Sequence, residues 1–446
     1  MINDTIQHTG TVALHTLGCK LNFSETSTIG KQFLNEGYSI VDFDTHADVF
    51  VLNTCTVTEN AEKECRQIVR RVLRNNPNAF VIVTGCYAQL RPEQIAEIEG
   101  VDLVLGSSEK FKIKEYIQDV HKKELACIFV SPFESLTEQF GVASSGEGDS
   151  RTRAYYKIQD GCDYKCSFCT IPKARGYSRS LDPDSVVSGF RSLVEQGYKE
   201  IILTGVNVGD YGKNFDTNLY ELLKRIIEIP GEFRIRISSI EPNLLTDEII
   251  ELTASSPKLC NHFHIPLQSG STKILKLMQR RYRAEDYREL IHRVKNHIPD
   301  AGIGVDVIVG FPGETDDDFM ETYHLLEELP VSYLHAFTYS ERPDTKAISM
   351  PDPVDVNKRR KRNALLRELS ERKKENFYTS QIGALHEVLF EGESKSLDIR
   401  GFSSNYVRVS LPYDDQFSNT IVPIHITETD GTICFGAVSS PISEAM

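Results

Sequence analysis

Gly161-Cys-Asp-Tyr-Lys-Cys-Ser-Phe-Cys169 is the stretch on which the reading of this chain turns. Three thiols within eight residues, Cys162, Cys166 and Cys169, can wrap one face of a metal cluster. A tetrahedral zinc site wants a fourth ligand, usually from a second paired motif, and none follows nearby. A [4Fe–4S] cluster accepts thiolate ligation, and three cysteines leave one of its irons open. An open iron can chelate an amino and a carboxylate group. The spacing therefore points to a cluster that binds something besides protein.

Working outward, the motif directly follows an apolar run at Tyr155–Gln159. Five more such runs come later, at Glu200–Thr204, Arg234–Ser238, His262–Ile265, Gly304–Val309 and Tyr333–Phe337. Each leads into a helical pattern, for example Pro183–Gln196 or Thr315–Glu328. Six consecutive βα units predict a full or partial (βα)6 barrel over residues 151–378, with chemistry at the C-terminal ends of its strands. Upstream, residues 10–130 alternate strands (Val12–Leu17, Asp48–Asn53, Phe80–Thr84, Val101–Leu105) with helices such as Glu59–Arg74, which predicts a parallel α/β sheet. Residues 131–150, ending GVASSGEGDS, read as a linker. Lys358–Glu375 is a basic helix former. Beyond it, residues 379–442 hold short strands at Glu387–Phe390, Tyr406–Val409, Ile421–Ile426 and Thr432–Phe435, which predict a small β-barrel. The fold class is thus multidomain α/β with a small all-β end.

A second cysteine pattern is spread more widely. Cys19 ends Leu14-His-Thr-Leu-Gly-Cys19, Cys55 ends Val51-Leu-Asn-Thr-Cys55, and Cys86 ends Val83-Thr-Gly-Cys86. Parallel strands bring their C-terminal ends to one edge of a sheet, so the three thiols have a route to converge. Three buried structural cysteines satisfy the same pattern. Cys65, Cys127, Cys260 and Cys434 sit in or near apolar runs and read as ordinary buried thiols.

Composition narrows the class. Of 446 residues, 40% are hydrophobic and 26% charged, as in a soluble globular protein. The net charge of −14 excludes nucleic-acid binding by bulk positive charge. Residues 1–150 carry −8, residues 151–379 balance, and residues 380–446 carry −6, so a polyanion should meet the middle first. No basic and apolar leader opens the chain, and no apolar run approaches the ~20 residues of a membrane span. A cytoplasmic location is expected. There, cysteines serve as ligands, catalytic thiols or buried apolar groups more often than as disulfides.

The C-x3-C-x2-C spacing with Phe168 before the last cysteine resembles the radical S-adenosylmethionine superfamily. With the N-terminal cysteines, nearly the whole chain resembles the methylthiotransferase family. Leu17-Gly-Cys-Lys-Leu-Asn-Phe-Ser-Glu-Thr26, His264-Ile-Pro-Leu-Gln-Ser-Gly-Ser271, Asp306-Val-Ile-Val-Gly-Phe-Pro-Gly-Glu-Thr315, Tyr339–Thr345 and Asn405–Val409 carry the likeness. The first of these looks most like the branch acting on N6-threonylcarbamoyladenosine at position 37 of tRNA. The isopentenyladenosine branch typically has Gln-Met where Lys20-Leu21 stand.

The resemblance implies two [4Fe–4S] clusters, a radical one on Cys162, Cys166 and Cys169 and an auxiliary one on Cys19, Cys55 and Cys86. It also implies S-adenosylmethionine as source of methyl group and radical, and a C-terminal barrel of the TRAM type. Hydrogen abstraction from an adenine C2–H, which offers no acidic proton, would then precede C–S bond formation, so no catalytic acid or base is assigned. By position, Gly205, Asn207, Ser238, Glu241 and Gln268 are expected at the cofactor, with loop capping as the plain alternative. The implied partners are a tRNA anticodon stem-loop, a one-electron reductant of the flavodoxin or ferredoxin type, and a sulfur source.

RNA needs local positive charge. Arg66, Arg70 and Arg74 at i, i+4 and i+8, Arg175 and Arg179 after the cysteine motif, Arg280, Arg281 and Arg283, and the nine basic residues of Lys358–Lys374 are candidates. Lys395, Arg400 and Arg408 are the only basic residues of the acidic last block. Competing readings keep the chemistry on isopentenyladenosine tRNA or a ribosomal-protein aspartate, or drop catalysis for a two-cluster electron-transfer or RNA-binding protein. An open iron argues against the last, since an electron carrier is served by four protein ligands.

Overall fold

A computed structural model describes residues 10–55, 59–117, 120–132, 152–391 and 397–439. The expected linker, from residue 133 on, and Lys395 fall outside the described residues.

Six parallel strands form the N-terminal sheet: β1 (Gly10–Thr16), β2 (Tyr38–Val41), β3 (Val49–Thr54), β4 (Phe80–Gly85), β5 (Leu103–Leu105) and β6 (Cys127–Phe129), in the order β2-β1-β3-β4-β5-β6. The central strands β3 and β4 are buried along their whole length, as their unbroken apolar runs require of a sheet covered on both faces. The helices α1 (Lys20–Asn35), α2 (Glu59–Asn75) and α3 (Cys86–Leu90) follow β1, β3 and β4. Strands β2 and β6, not anticipated from the sequence, are short edge strands whose few apolar residues give little period-2 signal.

The middle of the chain contributes β7 (Arg153–Lys157), a short antiparallel pair β8 (Gln159–Asp160) and β9 (Arg179–Ser180), then β10 (Glu200–Thr204), β11 (Arg234–Ile237), β12 (His262–His264), β13 (Gly302–Val309) and β14 (Tyr333–Thr338). The parallel ladders run β7-β10-β11 and β12-β13-β14, and single bridges at and just beyond β11, Ile235 to Leu259 and Ser239 to His264, join the halves. Among the described residues no ladder links β7 to β14, so the six-stranded barrel is partial and open on that side. Helix α1 lies against β7, where the rings of Phe23 and Tyr155 meet edge-on at 5.5 Å. The basic helix, Val356–Thr379, covers the free edge of β14: Ser370 accepts from the Leu334 N–H at 2.9 Å and Asn363 donates to the Ala336 carbonyl at 2.8 Å.

The C-terminal unit closes into a barrel of β15 (Leu385–Phe390), β16 (Asp398–Ser403), β17 (Arg408–Pro412), β18 (Ile421–Thr429) and β19 (Cys434–Val438), ordered β15-β16-β17-β19-β18. Its turn 403–406 enters the N-terminal end of the large barrel. Arg234 and Arg236, side by side there on Glu200, donate to the carbonyls of Phe402 at 2.7 Å and Ser404 at 3.0 Å. The expected strand at Tyr406–Val409 begins only at Arg408, because Tyr406 turns through a left-handed conformation (φ 72°) to stack beside His262. Among the described residues no helix is long and apolar enough to cross a membrane.

Candidate active site

The pairing of β8 with β9 pinches the base of the loop that carries Cys162, Cys166 and Cys169. Gly161 sits at φ 71°, and a Cβ there would lie 2.0 Å from the Tyr177 carbonyl, so only glycine lets the loop close this tightly. The Cys162 N–H donates to the Gly176 carbonyl at 3.1 Å, and Ser167 is held by the Leu277 and Met278 carbonyls at 2.8 and 3.0 Å. Phe168 packs near Phe311, with ring centroids 6.3 Å apart. Burial pushes the Cys162 and Cys169 thiols up to about 12, and raises Cys166 as well. As bare thiols they keep their protons. A bound metal reverses that balance, because coordination deprotonates a thiol outright. Arg280 donates to Cys166 Sγ at 3.1 Å and pairs with Glu241, placing positive charge where thiolates would form.

At the other site, strand order does what sequence distance hides. β1, β3 and β4 are neighbours, with Asn53 opposite both Thr16 and Thr84, so Cys19, Cys55 and Cys86 emerge at one edge of the sheet. A Cβ on Gly18 would meet the Cys55 Cβ at 2.6 Å and its Sγ at 2.9 Å, which fixes how closely the first two cysteine loops approach. Asn22 ties the loops together, donating to the carbonyls of Leu17 at 2.8 Å and Thr54 at 3.1 Å. All ten cysteines are free thiols. Two three-thiol donor sets of this kind fit [4Fe–4S] clusters with one open iron each.

A buried ionic junction joins the two sites. Glu25 on α1 accepts from Arg175 at 2.9 and 3.1 Å, from Lys110 at 2.6 Å and from Lys157 on β7 at 3.1 Å. Arg175 also reaches Asn22 at 2.6 Å and Asp160 at 3.1 Å, while Arg179 pairs with Asp160 at 3.2 Å. Burial raises Glu25 and Asp160, but the surrounding cations outweigh it and hold both carboxyls well below their ordinary values. This corrects the expectation for Arg175 and Arg179. They are 2% and 7% exposed and cannot meet phosphate, since their guanidiniums already hold the junction together.

Beside Cys19, at the sheet edge that carries the dispersed triad, lies a cavity of about 860 Å³. Gly18, Cys19 and Lys20 form one wall, Thr204, Gly205 and Ser238 at the strand ends another, and the Tyr406 turn its floor. Here several buried polar atoms have no partner among the described residues: Thr204 Oγ1, Ser238 Oγ and both amide atoms of nearby Asn207. Such orphans are costly unless a ligand satisfies them, and they fit the polar edge of S-adenosylmethionine. Gln159, at the base of the cysteine loop, accepts from the Asn207 N–H at 2.9 Å and crowds Gly205. Of the other expected contacts, Glu241 is tied to Arg280, and Gln268 (φ 65°) is held by backbone bonds to β13. Sequence reading missed Asn22, Glu25, Lys110 and Asp160. The one available signal was Asn22 and Glu25 inside the apolar face of α1.

The remaining basic candidates divide. Arg66 lies beside the Cys86 segment, donating to Tyr87 Oη at 3.3 Å, whereas Arg70 and Arg74 follow α2 away from the cysteine edge, since a helix after a strand runs back along the sheet. In the basic helix, Arg359 and Arg362 are buried on Glu341, Glu314 and Asp316, leaving Arg360, Lys361 and Arg367 exposed. Arg281 lies 3.9 Å over the Tyr164 ring in the cysteine loop, and Arg283 caps its own helix through Asp286. Arg400 and Arg408 share the outer face of β16 and β17.

Comparison with known proteins agrees with this geometry. Residues 156–326 match the radical SAM superfamily, and residues 11–106 match a model described as Uncharacterized protein family UPF0004. A threonylcarbamoyladenosine tRNA methylthiotransferase MtaB of Bacillus subtilis is 41% identical, covering 93% of each chain. The Aquifex aeolicus protein of the same name is 38% identical over 89% of this chain and 96% of its own. A tRNA-2-methylthio-N(6)-dimethylallyladenosine synthase of Clostridium botulinum is 36% identical over 87% of each. Among solved structures, the radical S-adenosylmethionine methyltransferase TsrM of Kitasatospora setae shares the fold, with a TM-score of 0.57 over 76% of this chain and 77% of that one at 17% identity. Two triads of thiols joined by one buried junction, on a chain this similar to enzymes of one kind, belong together: the chain is a member of the radical S-adenosylmethionine methylthiotransferase family, on its MtaB branch.

Proposed function

We propose that this chain inserts a methylthio group at C2 of N6-threonylcarbamoyladenosine at position 37 of tRNA. The observation that carries this reading is that two cysteine triads are tied together by one buried junction, with Cys19 opening on a large cavity. The Glu25–Arg175 junction holds the sheet edge and the cysteine loop in register, and about 860 Å³ suffices for a modified nucleoside.

In this reading Cys162, Cys166 and Cys169 hold the radical cluster, and Cys19, Cys55 and Cys86 the auxiliary one. When bound, the clusters and S-adenosylmethionine supply a carbon-centred radical, a methyl group and the sulfur to be delivered. The chain's own residues bind and orient. Thr204, Asn207 and Ser238 receive the cofactor's polar groups, with Gly205 giving room to Gln159, which fixes the 205–207 loop. Arg280 supports the Cys166 thiolate. The Tyr406 turn closes the floor, which shields that side of a reactive centre from water.

The tRNA is engaged through its anticodon stem-loop. Arg66, Arg281 and the exposed Arg360, Lys361 and Arg367 are the cations available for phosphate. A flavodoxin- or ferredoxin-type donor supplies single electrons, a separate source supplies sulfur, and the work takes place in the cytoplasm. Mass spectrometry of tRNA nucleosides from cells with and without this gene tests the reading. Methylthio-threonylcarbamoyladenosine should vanish with the gene, and an unchanged level would refute the assignment.

A further inference from the structure

The cavity wall below Cys19 has a chemistry that the sulfur-transfer reaction itself does not require. Lys20 lines it with its ammonium 5.8 Å over the Tyr406 ring, and among the described residues no carboxylate pairs with that ammonium. Across the Tyr406 and Tyr333 rings stands a compact polar set from β12, β13 and β14. His264 Nε2 lies 3.0 Å from Asp306 Oδ1, the His264 and His335 rings are 5.5 Å apart, and the ligand atoms of all three lie within 4.8 Å of one another. All three side chains border the same cavity. Lys374 and Arg408 also line it, Lys374 5.4 Å over the Tyr378 ring and Arg408 opposite Phe402 in the small barrel.

We infer that Lys20 and the His264–Asp306–His335 set form a subsite for the acyl group on N6 of the target adenosine, Lys20 taking its carboxylate. The inference rests on the proposed function and assigns specificity within it. A threonylcarbamoyl group carries one carboxylate, one hydroxyl and the N–H donors of a urea. The ammonium matches the first. Asp306 accepts from the urea or hydroxyl, and the histidines supply adaptable donors and acceptors. The position agrees too: C2 and N6 flank N1 on one edge of adenine, so the N6 group lies a short step from the reacting carbon, as Lys20 lies one residue from Cys19. An isopentenyl group offers these residues nothing, and would leave the Lys20 ammonium covered without a partner. Sites built to hydrogen-bond one substrate reject its apolar analogue strongly for that reason.

The test compares anticodon stem-loop RNAs carrying N6-threonylcarbamoyladenosine with the same RNAs bearing the primary amide in place of the carboxylate. Both dissociation constants and methylthiolation rates are measured. The wild-type protein should favour the acid about 10- to 100-fold, the range of a charged hydrogen bond. Lys20→Ala should erase that preference and Lys20→Arg should restore most of it, with iron content confirming that the neighbouring Cys19 site is intact. Equal binding of acid and amide by the wild-type protein needs no variant and overturns the inference while leaving the proposed function standing. A preference that survives in Lys20→Ala overturns it as well. Methylthiolation of isopentenyladenosine RNA instead of the acid would overturn the proposed function, and the subsite with it.

Discussion

The two cysteine triads are assembled by opposite means. Cys162, Cys166 and Cys169 lie within one loop, clamped at its base by β8 and β9 and filled by Phe168. Cys19, Cys55 and Cys86 have no loop in common, and they meet because β1, β3 and β4 are adjacent and in register. One site is made by local chain geometry and the other by sheet topology. The first should therefore tolerate changes far away, while the second should feel any shift of the strands that carry it.

The largest effects separate the triads directly. Cys166→Ala should abolish cofactor cleavage while about four of about eight irons remain in reconstituted protein, as iron analysis and assay of the cleavage product would register. Surviving cleavage would break the assignment of that loop. Cys55→Ala should leave cleavage intact and stop sulfur insertion, so a variant that still methylthiolates RNA would show that the sheet edge holds no essential cluster.

Next in size is the junction that registers one site against the other. Glu25→Gln leaves Lys110, Lys157 and Arg175 facing one another in the interior, at a cost of about 3–5 kcal/mol. Denaturant melts of the iron-free protein would measure it, and a loss near zero would mean that the junction is not what couples the triads. Its pH dependence has a definite sign. Glu25 and Asp160 are held below their ordinary values of 4.5 and 3.8, so their contribution is complete above those values and is lost as pH falls through the lower folded ones. Melts should be steady from neutral pH down to the ordinary carboxylate range and fall beneath it, less steeply in Glu25→Gln. Smallest is Ser238→Ala, which should weaken S-adenosylmethionine binding by about 5-fold, the worth of one neutral hydrogen bond, in a titration that leaves cluster absorbance unchanged.

The contrast between triads also governs what could be read from sequence. The contiguous motif was legible at once, and so were most strands of the barrel, whose apolar runs are bounded by helical patterns. The dispersed triad showed in the repeated strand-then-cysteine placement, but convergence depended on strand order, which no single segment encodes. Arg175 and Arg179 were misjudged for a related reason. Adjacent to the motif and basic, they look like surface charge, and only the docking of α1 reveals Glu25 waiting for Arg175. Strand β16 escaped notice because Asp398-Ile-Arg-Gly-Phe-Ser403 is half polar, with a glycine where the backbone of Leu389 passes 2.4 Å from any added Cβ.

The turn at 403–406 gives the acidic C-terminal barrel a meaning beyond its charge. Through the carbonyls of Phe402, Ser403 and Ser404 it satisfies Arg234 and Arg236, so it is bonded into the barrel end as the stopper of a reaction vessel would be. A chain ended at residue 379 would lose the bottom of that vessel. Its defect should be leakage, with S-adenosylmethionine consumed and the radical quenched by solvent. Slower turnover or weaker grip on tRNA alone would be the signature of a detached RNA-binding module, which this barrel is not.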